Sequence, residues 1–286
     1  MKNKEIFAIK MVVITLIILV MITLFKWSAV KSRFKAELQT HFINIDREPA
    51  VLNEGDIAFF PDPVQRYFDY CGLLGKPKKM NAEVVWADSY IRLQPDKSWT
   101  KLRTIQYNTV EKPFRIAYMK AHMFGFIPFE GRDIYHNGSG SMFGKVANLI
   151  TVFDVKDKEI GQSALIIILA EALLIPGYAL QDYITWEAVD SHTAKAVIQH
   201  KGIEAGGTFH FNDEGAMIKF ESNERYYRTH DGKNIKVPFT ALVGDYKQQG
   251  DIRIPTSLKA IWHLPEGDYE YWKGTIEEVR YNIVLN

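Results

Sequence analysis

The spacing of apolar and polar positions changes three times along this chain. Ile6 to Phe25, IFAIKMVVITLIILVMITLF, is almost unbroken apolar sequence. As a helix, about 20 residues span the ~30 Å hydrocarbon core of a bilayer, so the run predicts a transmembrane helix. Lys10 near one end and Trp27 at the other suit the two interfaces. KWSAVKSRFK follows, with no small-residue cleavage site and an immediate return of positive charge, which argues for an anchor over a signal peptide. Residues 31–45 then place Phe34, Leu38, Phe42 and Ile45 at helical intervals. That is the pattern of an amphipathic neck, or of a helix packed on a domain. Residues 46–61 read as a linker. PDPVQRYFDYCG predicts a helix over 62–72, with Asp62 as N-cap, Pro63 first in the helix and Gln65 completing a capping box. Its stripe of Val64, Tyr67, Phe68 and Cys71 makes the cysteine a core residue.

From Met80 the period becomes two. Strands are predicted over 80–93, 98–108, 113–123, 126–136 and 141–155, then over 184–190, 193–200, 203–211, 216–222, 225–229, 252–263 and 269–285. Connections such as PDKS, NGSG, DEG and PEGD are short, which makes neighbouring strands antiparallel. One segment interrupts them: IGQSALIIILAEALLIP, ended by Pro176 and Gly177. It is apolar on nearly every side, which predicts a buried helix over 160–175. So many strands curl rather than lie flat. The expected fold is α+β and mainly antiparallel β: a strongly curved, half-barrel-like sheet with the buried helix and an N-terminal transmembrane helix. The expected division is an anchor with flanks over 1–30, a neck and linker over 31–60, and the β domain over 61–286.

The net charge of +1 conceals a segregation. Residues 1–35 hold seven Lys or Arg and one acid, leaving 28 basic and 33 acidic residues beyond them. A mildly acidic folded part argues against nucleic-acid binding. The flank Lys26, Lys31, Arg33 and Lys35 leans toward a cytoplasmic domain on a single-pass protein of the cell membrane. A single cysteine excludes an intrachain disulfide and a cysteine-based zinc site.

NGSGSMFGKV at 137–146 resembles a phosphate loop only superficially. Its glycines fit neither G-x-x-x-x-G-K-[ST] nor G-x-G-x-x-G, and Val146 follows the lysine. Asn137-Gly138 is instead a hairpin signal. GQSAL at 161–165 lacks the second glycine of a serine-hydrolase elbow, and the eight histidines show no metal spacing. No nucleotide, cofactor or metal is therefore expected. Two acids stand out. Glu171 lies in the apolar helix with no charged neighbour at i±4, so it needs a partner from the sheet or a proton. Asp133 alternates with Ile127, Phe129 and Tyr135 and faces the same way as they do, and Arg225 is a candidate partner. Met119, Met123 and Phe126 belong to an apolar stretch suited to an adaptable wall or mouth.

PDPVQRYFDYCG, GRDIYHNGSGSMFGK, LAEALLIPGYAL, ITWEAVD, FHFNDEG and IPTSLKAIWHLPEGDYEYWKG follow one another in the order of a bacterial family of single-anchor proteins carrying a domain of unknown function. The chain resembles that family over roughly residues 55–285. The resemblance implies no catalytic residue. It extends to a fold similar to the LolA/LolB-type lipoprotein carriers, whose curved sheet and covering helix hold acyl chains.

Three functions compete. The favoured one is a membrane-anchored, non-catalytic module that binds a lipid or other apolar ligand at Asp133, Glu171, Arg225, Met119, Met123 and Phe126. Its partners would be membrane lipids and the ligand, with protein partners left open. The second is a structural or assembly protein in which the helix only fills the sheet. The third is a hydrolase-like enzyme using Asp133 and Glu171.

Overall fold

The computed structural model describes residues 4–7, 9–16, 28–123, 125–229 and 231–285. Seventeen strands are formed among them. They are β1 (Asn81–Ile91), β2 (Thr100–Thr109), β3 (Phe114–Met123), β4 (Ile127–His136), β5 (Ser139–Val146), β6 (Ile150–Val155), β7 (Ile184–Asp190), β8 (Thr193–His200), β9 (Ile203–Phe211), β10 (Met217–Ser222), β11 (Tyr226–Arg228), β12 (Asn234–Lys236), β13 (Phe239–Gly244), β14 (Lys247–Gln249), β15 (Ile252–Ile254), β16 (Ser257–Leu264) and β17 (Gly267–Tyr281). Thirteen join one antiparallel sheet in the order β6-β5-β4-β3-β2-β1-β17-β16-β13-β10-β9-β8-β7. It is two meanders, β1–β6 and β7–β17, sewn together where the first strand pairs with the last. Strands β6 and β7 are edges, so the sheet is no closed barrel.

The sheet curves so that its two arms meet. Helix α4 (Lys158–Ala170) packs on β5 of the first arm and β9 of the second, although these strands are far apart in the sheet order. The turns of the two arms also meet, since a Cβ on Gly138 would stand 2.7 Å from Cβ of Lys201. Asn137 (φ 47°) and Gly138 (φ 79°) make the type I′ turn that the glycine-rich stretch predicts. Gly140 then lies so close under α4 that a Cβ there would come within 2.6 Å of the Ile160 carbonyl oxygen. Tyr135 Oη and His200 Nδ1, 2.7 Å apart, bridge the arms beside this contact.

Helix α4 is capped by Asp157, which accepts from the Ile160 N–H at 2.7 Å. Its Leu165, Ile166, Ile168 and Leu169 are fully buried. The helix ends at Ala170, earlier than expected, and turns follow through Tyr183. Carbonyls freed by that early stop are taken up by tyrosines, Leu173 O by Tyr67 Oη and Leu174 O by Tyr281 Oη, both at 2.8 Å.

The other face of the first arm carries α1 (Ala29–His41), whose Val30, Phe34 and Leu38 pack with Tyr107, Ile116, Tyr118 and Ile134. Under it, fully buried Arg132 meets Glu37 (Nε–Oε2 2.9 Å) and donates to the Ser141 carbonyl. A short helix α2 (Glu54–Ile57) precedes α3 (Asp62–Tyr70). The capping box expected at Asp62 and Gln65 does not form. The Pro61 carbonyl already accepts from Val64 and Gln65, and the Gln65 amide turns back to the Phe60 carbonyl at 2.7 Å. Cys71 lies in the core, and burial pushes its thiol up to about 12.

The single-pass localisation is corrected. Among the described residues no helix is long and apolar enough to cross a membrane. The described residues 4–7 and 9–16 of the N-terminal stretch are helical. Residue 8 and residues 17–25 of the apolar run lie outside the described residues. The cell-membrane, single-pass assignment and its lean to the cytoplasmic side are withdrawn with it.

Candidate functional site

Strand alternation sorts the first arm into two faces. Ile116, Tyr118 and Ile134 lie under α1, so Arg115, Ala117, Met119 and Asp133 face the concave side. There the sheet meets the end of α4 in one polar cluster. Arg115 donates through Nε to both Glu171 oxygens at 3.1 Å, through Nη1 to Asp133 Oδ2 at 2.9 Å and through Nη2 to Gln106 Oε1 at 3.0 Å. Glu171 Oε2 also accepts from Gln106 Nε2 at 2.8 Å and Asn108 Nδ2 at 3.3 Å. Asn108 donates onward to Tyr178 Oη, which donates to the Phe114 carbonyl at 2.8 Å.

Burial lifts the Glu171 carboxyl above its usual range, against the pull of Arg115 and the two amides. Burial acts to lower Arg115, but Glu171 and Asp133 outweigh it and hold the guanidinium above its usual value. Glu171 Oε2 takes three of these donors, and Oε1 accepts from Arg115 alone among the described residues. Asp133 differs. Only Oδ2 is engaged among the described residues, and its side chain is part-exposed.

Beside this cluster runs an apolar trough. Met119, Gly131, Gly144 and Phe153 stand opposite one another across four strands. The space over the two glycines is occupied by aromatic rings. A Cβ at Gly131 would stand 3.2 Å from the Phe129 ring, and one at Gly144 only 2.4 Å from the Phe153 ring. These rings are 6.1 Å apart between centroids. Met119, Phe129, Met142 and Phe153 are half-buried, neither sealed in the core nor free in water.

The candidate residues divide accordingly. Asp133 and Glu171 share one site, joined by Arg115, which the sequence reading did not single out. Met119 lies in the trough, Met123 pairs with Ile127 at its outer end, and Phe126 is exposed on the adjoining turn. Arg225 is elsewhere and does not pair with Glu171. Its guanidinium carbon stands 4.3 Å from the Phe239 ring centroid and 4.6 Å from that of Trp262, and Nη1 donates to Tyr271 Oη at 2.7 Å. Arg115 carried one signal: its strand neighbours on the same face, Ala117 and Met119, are apolar. Directly beneath α4 the space is filled by fully buried side chains, so the trough lies beside the helix. A separate polar groove of about 520 Å³ lies on the second arm, with Lys195, Thr208, Glu221 and His263 in its walls. Among the described residues no three His, Cys, Asp or Glu side chains are placed to hold a metal.

No curated protein matches the chain. Among solved structures it is similar to a LolA superfamily protein from Nitrosomonas europaea, with 8% identity and a TM-score of 0.41 over 78% of this chain and 94% of that one. It is also similar to a DUF1329 family protein from Desulfovibrio piger, with 10% identity and a TM-score of 0.40 over 79% and 95%. At these scores the likeness describes the course of the chain and no more. The sequence itself is decisive at the level of family: DUF6544, a family of unknown function, matches residues 50–274, and the chain belongs to it.

Proposed function

We propose that the protein is a non-catalytic module that holds an apolar or amphiphilic ligand, such as a lipid acyl chain, in the trough beside α4. The observation that carries this reading is the floor of Gly131 and Gly144 under Phe129 and Phe153. In a closed core the rings that fill the space over these glycines would be sealed in. Instead, polarizable Met119 and Met142 and two aromatic rings stay half-buried around it. Such side chains adapt to variable apolar shapes. The cluster of Arg115, Glu171 and Asp133 closes the inner end with polar groups that would orient a ligand.

A titration with the neutral apolar probe N-phenyl-1-naphthylamine tests this. The full chain should enhance its emission saturably. Met119→Lys, which places a cation among the trough side chains, should abolish the enhancement while leaving the circular dichroism unchanged. Equal enhancement by both proteins would remove the trough as the site.

A further inference from the structure

Three turns of the first arm point the same way. The pairings Leu102 with Ala121 and Phe129 with Val146 place the β1–β2, β3–β4 and β5–β6 turns at one end of the sheet. Each presents a large apolar side chain to water: Leu93 is 64% exposed, Phe126 74% and Leu149 62%. Successive hairpins lie two strand spacings apart, roughly 10 Å, so the tips form a row roughly 20 Å long. The Ala147 N–H donates to the Pro128 carbonyl at 2.7 Å and ties the second turn to the third. Isolated exposed apolar residues are ordinary, but three on adjoining turns of one edge are not.

The charges behind the tips are as informative. Arg103, Lys120, Glu130 and Lys145 stand directly opposite one another across four strands. Three cations in one cross-strand row are broken by a single acid, which Lys120 meets only at 3.9 Å. Arg103 and Lys120 face each other as like charges, which opposes folding, and an anionic partner would relieve that pair. Lys101 and Lys97 lie nearer the tips and are paired with the exposed Asp88 and Asp96. This basic end belongs to a chain whose total charge is only +1.

A protein partner's binding centre is a contiguous, well-packed patch. Separate apolar fingertips backed by lysine and arginine match a lipid surface, where apolar groups enter the headgroup layer and cations meet anionic lipids. We infer that these three turns dock the protein on an anionic lipid surface, with Phe126 and Leu149 entering the headgroup layer and no segment of this contact crossing it. The inference stands on the turns and their charges, independently of the trough.

The test uses the full chain with Phe126→Cys carrying an environment-sensitive NBD label. Cys71 is buried, so the new thiol is the reactive one. A control carries the label at Asp213→Cys, on the exposed β9–β10 turn of the other arm. Vesicles of phosphatidylcholine with phosphatidylglycerol should blue-shift the label at position 126, and doxyl-labelled lipid should quench it. The label at 213 should show neither effect, and Arg103→Glu should reduce the response at 126. No shift at 126, equal shifts at both positions, or the same response on pure phosphatidylcholine would overturn the inference. The two-position comparison keeps contact by these turns distinct from any attraction of the N-terminal apolar run.

Discussion

Replacing Glu171 by Gln tests the polar cluster most sharply, because shape is kept while charge and acceptors are lost. The carboxylate receives Arg115 on both oxygens and two amide donors on Oε2. A glutamine offers one acceptor oxygen, and its NH₂ would face donors. Side-chain exposure is 13% for Arg115 and 10% for Glu171, so water cannot readily replace what is lost. Breaking a buried pair costs about 3–5 kcal/mol. Arg115 keeps Asp133 at 2.9 Å, which places the cost at the lower end, about 3 kcal/mol. At about 2–4 °C per kcal/mol for a domain of this size, Tm should fall by about 6–12 °C. Thermal melts followed by circular dichroism measure it. A companion Arg115→Met variant separates pairing from packing, since losing both partners should cost less than the sum of the single losses. A fall below about 2 °C, or strict additivity, would rule out a coupled buried pair.

Three further outcomes follow from other parts of the fold. Burial and then the neighbouring His41 and His200 depress the His136 imidazole, and burial and then Lys201 depress His200. A depressed histidine contributes stability above its unfolded pKa of about 6.5, and that contribution is lost as pH falls through the folded value. Tm should therefore drop between pH 7.5 and 5.5, and less so in His136→Phe. Gly140→Ala forces a Cβ against the α4 backbone at 2.6 Å, which no rotamer relieves, and should lower the urea midpoint by at least the equivalent of about 1–3 kcal/mol. Glu37→Gln leaves Arg132 buried with a weakened partner, so amide exchange over residues 29–41 should speed up while α4 stays protected.

Alternation made most strands readable, and the exceptions have physical causes. The predicted strand 141–155 is two strands, because Ala147 and Asn148 take positive φ and turn the chain. Strand β13 went unseen because half-exposed Leu242 occupies what should be a polar position. Pro255 and Thr256 separate β15 from β16 within the predicted strand 252–263. At the site, the isolation of Glu171 in an apolar helix announced a partner in the sheet. Its identity was not local information. Arg115 in β3 and Arg225 just before β11 carry the same charge, and only the fold brings one to Glu171 and sets the other among Phe239, Trp262 and Tyr271. The trough was hidden for a related reason. Gly131 and Gly144 look like ordinary strand irregularities until register sets them side by side.

Native mass spectrometry of the full chain purified without detergent shows whether the trough holds an apolar ligand. An added mass that organic solvent removes should be present on the natural protein and missing from a Gly131→Leu variant, whose Cβ would stand 3.2 Å from the Phe129 ring and displace it. A bare polypeptide mass on the natural protein, even after incubation with long-chain amphiphiles, would contradict it, as would an identical adduct on both proteins.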